Sequence, residues 1–189
     1  MEAFWLSFGV IFVAELGDKS QLMAMAFATR YKAWHVLIGI TVATAVVHAF
    51  SVLMGGVVAV NLPTRAINIV AGLAFFAFAG WTIRGDRLSE EEENKARRSY
   101  RSPMIAVGIA FFLAELGDKT MLATITLAIT EGWLGVWIGS TLGMVAADAL
   151  AILVGRRLGT RLPERAIRVA AAVTFLVFGA LLIFEGIRA

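Results

Sequence analysis

The stretch Glu15-Leu16-Gly17-Asp18-Lys19-Ser20 lies inside a long apolar run, and it returns almost unchanged as Glu115-Leu116-Gly117-Asp118-Lys119-Thr120. A membrane-spanning helix needs about 20 mostly apolar residues, and the apolar runs at 4–28 and 104–129 each hold one motif near the middle. The charges would then lie near the membrane midplane, where each costs roughly 2.5–3.5 kcal/mol. We therefore expect them to face inward, to compensate one another and to form a polar site for an ion or a proton.

The composition is that of an integral membrane protein. Hydrophobic residues make up 59% of the chain, against roughly 45–50% in soluble domains, and the mean hydropathy is +0.80. Cysteine is absent from the sequence, which excludes a disulfide framework and a thiolate metal site. The first apolar run is too long for a signal peptide and has no basic segment before it, so we expect it to remain as the first membrane helix.

Hydropathy and helix breakers predict an all-α integral membrane protein with six transmembrane helices. The motif region repeats without gaps at an offset of 100 residues, and three helices per repeat is an odd number. The second repeat must then enter the membrane from the opposite side, which gives two inverted-topology three-helix repeats. We predict a first repeat at 1–86, a charged cytoplasmic linker at 87–103 and a second repeat at 104–189, all in a single membrane domain. The predicted helices are 4–29, 35–60, 65–83, 104–130, 134–155 and 166–187.

The basic residues predict the orientation in the membrane. Lys and Arg cluster in the loops after the first, third and fifth predicted helices, whereas the opposite side carries only Arg65 and Arg188. The positive-inside rule makes the first set of loops cytoplasmic and places both termini on the non-cytoplasmic side. The net charge of +3 reflects these loops, so we do not expect a nucleic-acid partner.

The motif residues suit a hard divalent cation. Residues three and four apart share a helix face, so the acidic and basic residues of each motif are predicted to project together. If the two motif helices meet, four carboxylates and two ammonium groups share one pocket, and their formal sum of minus two matches one divalent cation. Carboxylate oxygens suit Ca²⁺, Mn²⁺ and Mg²⁺, and they can also take up protons, which is the simplest basis for antiport. The predicted metal ligands are Glu15, Asp18, Glu115 and Asp118.

Several neighbouring side chains are predicted to support this site. The two motif lysines either balance the carboxylates or carry protons, and we favour charge balance. His48 and Asp148 occupy corresponding positions in the second helix of each repeat; a lone histidine is often structural, whereas a buried aspartate in a membrane is costly and more often functional. The predicted oxygen donors, counter-charges and proton carriers are Lys19, Ser20, Gln21, Lys119, Thr120, Asp148 and His48.

A simpler interpretation of the motif charges is a helix-stabilising ion pair in each motif. Glu15 with Lys19, and Glu115 with Lys119, have the spacing of four residues that such pairs require. Isolated pairs are costly at the midplane, and their duplication at corresponding places favours a shared site instead. The glycine of each motif is predicted to let another backbone approach closely, and the methionines after the motifs are interpreted as apolar filling.

The duplicated hexapeptide Glu-x-Gly-Asp-Lys/Arg-Ser/Thr resembles the signature of a family of cation/proton antiporters found in the Golgi, in chloroplasts and in bacteria. Both motifs match in full, and the resemblance extends over essentially the whole chain. It implies that Glu15, Asp18, Glu115 and Asp118 form the cation site, with the motif lysines and hydroxyl residues as partners. Bacterial members are known as manganese exporters and eukaryotic members as calcium and manganese transporters, so the resemblance implies exchange of Mn²⁺ or Ca²⁺ for protons.

Together these observations predict a secondary transporter in a bacterial cytoplasmic (inner) membrane that exports Mn²⁺, with Ca²⁺ as a second cargo, in exchange for protons. The expected partners are the cation, protons and the lipid bilayer, and we expect no cofactor. The sequence contains no nucleophile with an adjacent base, no phosphate loop and no cofactor motif, so it does not predict an enzyme. Two alternatives stay open at this point: a passive cation or proton channel, and an exporter of small organic cations such as amino acids.

Overall fold

The computed structural model describes residues 1–61, 63–84, 102–158 and 164–188, and all regular structure in these ranges is helical. This confirms the predicted all-helical class for the described residues. The predicted linker at 87–103 lies outside them, apart from its last two residues. The eight described helices are α1 (Glu2–Glu15), α2 (Lys19–Arg30), α3 (Ala33–Asn61), α4 (Thr64–Arg84), α5 (Pro103–Glu115), α6 (Lys119–Thr130), α7 (Trp133–Leu158) and α8 (Glu164–Arg188).

The longest helices have the length and composition of membrane spans. Among the described residues, α3, α4, α7 and α8 are long and apolar enough to cross a membrane. Helices α5 and α6 are apolar but shorter, and α1 and α2, with 14 and 12 residues, are each below the usual length of a span. This pattern is that of a multi-pass membrane protein in which each motif separates two shorter helices.

The prediction of one continuous helix through each motif is wrong. Helix α1 ends at Glu15 and α2 begins at Lys19, with Leu16 in an extended conformation and Gly17 at a φ of +77°. The second motif has the same break, with a φ of +79° at Gly117. Glycine adopts a positive φ without the steric penalty that a Cβ brings, so these glycines turn the chain out of its helix.

The prediction that the motif glycines admit a neighbouring backbone is also wrong at Gly117. Among the described residues, no atom lies within 4 Å of the place where a Cβ would stand on Gly117, its chain neighbours excepted. The glycine is therefore required by the backbone conformation of the turn and not by a close approach from another helix.

The interrupted helices pack along long helices from the other half of the chain. Helix α1 lies against α7, with Gly135 facing Ala3 and Gly143 facing Phe8. The residue numbers rise together along this contact, so α1 and α7 run in the same direction. Close backbone approach at these small residues is typical of helix packing in membranes.

The second interrupted pair repeats this arrangement on α3. Gly39 faces Val107 of α5, and Gly55 faces Ala128 of α6. The numbers again rise together, so α5 and α6 continue one another along α3 in its own direction. Each half of the chain therefore supplies an interrupted helix and the long helix that covers the interruption in the other half.

Helices α4 and α8 form the most extensive helix contact of the described residues, and they run in opposite directions. The ring of Phe78 lies 6.0 Å from that of Phe175, whereas Asn68 faces Gly186 near the other end of the contact. The numbers fall along one helix as they rise along the other. Helices at corresponding positions of the two halves are thus antiparallel here.

Several contacts join residues that are 100 positions apart. Thr44 Oγ1 lies 3.3 Å from Met144 Sδ, and the rings of Phe75 and Phe175 are 5.7 Å apart. Residues at equivalent places in two halves meet each other only near an axis that relates those halves. The described contacts therefore have an approximate two-fold relation.

Three acidic residues mark one end of the molecule. Glu131 follows α6, and the carboxylates of Glu185 and Glu2 lie near it. Partial burial first, and then these two negative charges, raise the pKa of the Glu131 carboxyl above its usual value. The start of α1, the junction of α6 with α7 and the end of α8 therefore lie close together.

We predict that Gly17→Ala and Gly117→Ala each lower the free energy of unfolding by about 1–2 kcal/mol, because alanine is strained at a positive φ. Gly80→Ala is the control, since Gly80 lies within α4 with open space around it and without a positive φ. Thermal denaturation in detergent would measure the three variants. A melting temperature of the motif variants equal to that of wild type would contradict the need for these turns.

Candidate metal centre

The four predicted carboxylate ligands are all buried in the interior of the molecule, and three of them form one group. Glu15 is 0% exposed, Asp18 1%, Glu115 1% and Asp118 3%. One oxygen each from Glu15, Glu115 and Asp118 can be chosen so that all three lie within 4.8 Å of one another. Residues 100 positions apart in the sequence are thus brought together from α1, α5 and the turn after α5.

The hydroxyl residue of each motif binds the glutamate of the same motif. Ser20 Oγ donates a hydrogen bond to Glu15 Oε2, and Thr120 Oγ1 donates to Glu115 Oε2 at 2.9 Å. The other oxygen of each glutamate, Oε1, is buried and accepts no hydrogen bond among the described residues. A buried carboxylate oxygen without a donor is costly, so each glutamate presents one oxygen that a cation can satisfy.

The motif lysines pair with the aspartate of the opposite motif. Lys119 Nζ lies 2.8 Å from Asp18 Oδ1, and Lys19 Nζ lies 3.3 Å from Asp118 Oδ1. These ion pairs cross between the motifs, and the helix is broken between Glu15 and Lys19 and between Glu115 and Lys119. The crossed pairs support the prediction that the lysines balance the carboxylates.

The two motif aspartates occupy the N-cap positions of α2 and α6, but their side chains do not cap these helices. Asp18 and Asp118 precede the first residues of α2 and α6, but neither makes a side-chain capping hydrogen bond. An aspartate at this position normally accepts from a backbone N–H of the first turn. Their carboxylates lie beside the lysine of the opposite motif instead.

Gln21 and Met121 occupy corresponding positions and differ in chemistry. Gln21 Oε1 accepts a hydrogen bond from the Gly17 N–H at 2.8 Å, and Gln21 Nε2 donates to the Ala147 carbonyl at 2.9 Å. Both ends of this amide are therefore engaged, and Gln21 holds the first turn against α7. The Gly117 N–H donates to Met121 Sδ at 3.2 Å, and sulfur is a weaker acceptor than an amide oxygen. This methionine therefore also contacts the motif turn and does more than fill apolar space.

The structure places Asp148 at the cluster. Asp148 is 0% exposed, neither of its oxygens accepts a hydrogen bond among the described residues, and it lies close enough to Glu15 and Asp18 for charge repulsion. Five carboxylates and two ammonium groups then share the region, with a formal sum of minus three when all are ionised. One divalent cation would leave a charge of minus one.

His48, at the position corresponding to Asp148, makes a different contact. It is 1% exposed, and its Nδ1 lies 3.4 Å from Thr141 Oγ1. Within the described ranges, we find no hydrogen bond or ion pair between His48 and a motif carboxylate. The arrangement therefore breaks the two-fold relation at this pair of positions.

The helix ends at the two breaks were missed by reasoning from the sequence. The carbonyl end of a helix carries partial negative charge and free carbonyl oxygens, and α1 and α5 both end at the motif glutamate. Interrupted helices of this kind often provide ion sites in transporters. A glycine followed by an aspartate inside an apolar run was the signal that predicts such a break.

Comparison with known proteins identifies the family. A family profile described as "Divalent cation/proton antiporter GDT1" matches residues 3–90 and 103–189. The chain belongs to this family. The resemblance carried by the duplicated motif is thereby confirmed, and the family is one of transporters and not of enzymes.

Curated relatives of the GDT1 family extend over most of the chain. A Vibrio cholerae protein named "Putative manganese exporter" is 36% identical over 94% of this chain and 88% of its own length. A Synechocystis GDT1-like protein is 33% identical over 94% of this chain and 95% of its own length. A rice GDT1-like protein of the chloroplast is 31% identical, and the match spans 59% of that longer protein. No solved structure matches the chain.

We predict that the crossed ion pairs can be detected by comparing the unfolding free energies of single and double variants. Asp18→Asn leaves the buried Lys119 ammonium without its partner, at a cost of about 3–5 kcal/mol in unfolding free energy. Combining Asp18→Asn with Lys119→Met should recover most of this loss, whereas combining it with Lys19→Met should recover none. Chemical denaturation in detergent would measure the variants, and equal recovery by both lysine substitutions would contradict crossed pairing.

Proposed function

We propose that this GDT1-family chain exports divalent cations, Mn²⁺ foremost and Ca²⁺ as a second cargo, in exchange for protons. The observation that carries the proposal is the buried group of Glu15, Glu115 and Asp118, whose oxygens lie within 4.8 Å of one another. Glu15 and Glu115 each present an oxygen that accepts no hydrogen bond from the part of the chain that the structure describes. The ligands come from both halves of the chain, so a movement between the halves changes the site directly.

The chemistry of the group supports a hard cation. Every charged ligand candidate is a carboxylate, and oxygen-rich sites favour Ca²⁺, Mn²⁺ and Mg²⁺ over metals that prefer sulfur or imidazole. The negative formal charge supports a divalent rather than a monovalent cargo. The name of the Vibrio cholerae relative supports Mn²⁺ among the three.

Six membrane crossings in two inverted repeats, 1–86 and 104–189, account for the helix directions. In this arrangement α1 with α2 forms one crossing and α5 with α6 another, and successive crossings alternate in direction. Helix α1 then runs with α7, α3 runs with α5, and α4 runs against α8, which agrees with the packing contacts. The proximity of Glu2, Glu131 and Glu185 at one end also agrees with it.

The orientation follows from the basic loops. Lysine and arginine residues after the first, third and fifth crossings place those loops in the cytoplasm. Both termini then lie on the non-cytoplasmic side of a bacterial cytoplasmic membrane. In this orientation the linker at 87–103 connects the repeats in the cytoplasm.

Proton exchange supplies the driving force. Moving one charge through 100 mV is worth about 2.3 kcal/mol, so a divalent cation leaving against an inside-negative potential of that size costs about 4.6 kcal/mol. Return of two protons on the emptied carboxylates cancels this electrical cost. The cluster holds either the cation or protons. Access alternates, so that the cluster is connected to the cytoplasmic side and to the outer side in turn.

We predict that Glu15→Gln and Glu115→Gln each reduce proton-driven Mn²⁺ transport in proteoliposomes by at least about a hundredfold. Loss of residues that only support metal ligands already costs 10–100-fold in affinity. Glu131→Gln is the matched control, because it makes the same change outside the carboxylate group and should transport as wild type does. Uptake would be followed with an imposed pH gradient and with Mn²⁺, Ca²⁺ and Mg²⁺ in turn.

The same assay separates the alternatives. Metal movement that ignores the pH gradient, or proton flux without any metal gradient, would contradict antiport and indicate a channel. Absence of movement for all three metals, with transport of an organic cation instead, would contradict the cation-exporter assignment.

A further inference from the structure

We propose that Lys19 is the counter-cation that the transported metal displaces from Asp118, whereas Lys119 stays bound to Asp18 while the metal binds. This inference rests on the proposed function. It concerns the two motif lysines, whose surroundings differ. It assigns different tasks to two residues that the repeated motif makes equivalent.

The carboxylate group identifies which aspartate the metal uses. The oxygens that lie within 4.8 Å of one another belong to Glu15, Glu115 and Asp118, and Asp18 is not part of that group. A metal bound there takes an oxygen of Asp118 at about 2.1–2.6 Å. The Lys19 ammonium already lies 3.3 Å from Asp118 Oδ1, so the metal and Lys19 compete for the same carboxylate.

The surroundings of the two lysines differ in the way that this competition requires. The Lys19 side chain is 14% exposed, whereas the Lys119 side chain is 3% exposed. A long lysine side chain can extend its ammonium toward water, and Lys19 is the more exposed of the two lysines. Lys119 lies 2.8 Å from Asp18 Oδ1, and displacing it would separate a buried ammonium from its ion-pair partner.

Charge repulsion provides the reason for displacement. A divalent cation and an ammonium on one carboxylate repel each other strongly where water is scarce. Departure of Lys19 relieves this repulsion, and its return to Asp118 after release of the metal restores a counter-charge to the empty site. Lys19 thus weakens metal binding and speeds metal release, which is useful in a transporter that must let its cargo go.

The test compares Mn²⁺ affinity in detergent-solubilised full-length protein, measured from the loss of the free Mn²⁺ signal in electron paramagnetic resonance. Lys19→Met should bind Mn²⁺ about tenfold more tightly than wild type, which corresponds to about 1.4 kcal/mol. In proteoliposomes the same variant should show a lower KM and a lower maximal rate. Lys119→Met should show no tighter binding and a lower melting temperature.

Lys19→Arg provides a second variant that keeps the charge. Arginine binds a carboxylate through two donors and leaves it less readily than lysine does, so Mn²⁺ binding should weaken severalfold. If Lys19→Met does not yield folded protein, the direction of change in Lys19→Arg still decides the question. Unchanged or tighter binding in Lys19→Arg would overturn the proposal, as would equal tightening in Lys19→Met and Lys119→Met.

Amine labelling of the wild-type protein gives an independent readout. The chain has lysine at only four positions, 19, 32, 95 and 119, so mass spectrometry can follow each one. Mn²⁺ should speed reductive methylation at Lys19 and leave Lys119 protected, and equal protection of both would overturn the proposal. Wild-type protein that binds no Mn²⁺ would contradict the proposed function instead, so the two failures are distinguishable.

Discussion

Negative charge buried in an apolar interior determines how the two halves of this chain are arranged. A carboxylate in such surroundings is costly unless donors or cations compensate it. Here each motif glutamate accepts a hydroxyl hydrogen bond from its own motif, and each motif aspartate meets a lysine from the other motif. The aspartates and lysines of each half are therefore compensated by the other half, which holds the two halves together.

The helix breaks follow from the same constraint. A continuous helix would place Glu15 and Lys19 on one face and satisfy them locally. The left-handed turn at Gly17 ends that local pairing, directs the aspartate and the lysine across the interface, and adds the ends of two helices to the site. The long helices α3 and α7 then cover the breaks of the opposite half. The proposed cation site then lies at the contact between the halves, where relative movement has the greatest effect on its ligands.

Much of this organisation could be predicted from the sequence. Hydropathy predicted the helical class, and the repeated charged motif predicted a shared carboxylate cluster, because buried charges in a membrane protein require common compensation. The continuous motif helix was predicted wrongly because a hydropathy window averages over three residues that leave the helix. The glycine and aspartate in the motif were the local signal for that break.

The partners of the lysines could not be read from the sequence. Each motif lysine has a glutamate four positions before it, which is the spacing of an ion pair on a helix. Nothing in the order of residues indicates that its partner comes from the other motif. The positions of His48 and Asp148 show the same limit. Equal spacing made both candidates, but Asp148 lies near Glu15 and Asp18, whereas His48 contacts Thr141.

We propose that the two motifs form one cation site and not two. An equilibrium titration of the purified protein with Mn²⁺, counting ions bound per chain, distinguishes these arrangements. A single shared site requires one high-affinity Mn²⁺ per chain, and loss of that ion in either Glu15→Gln or Glu115→Gln. Two ions per chain, with one lost in each variant, would contradict it.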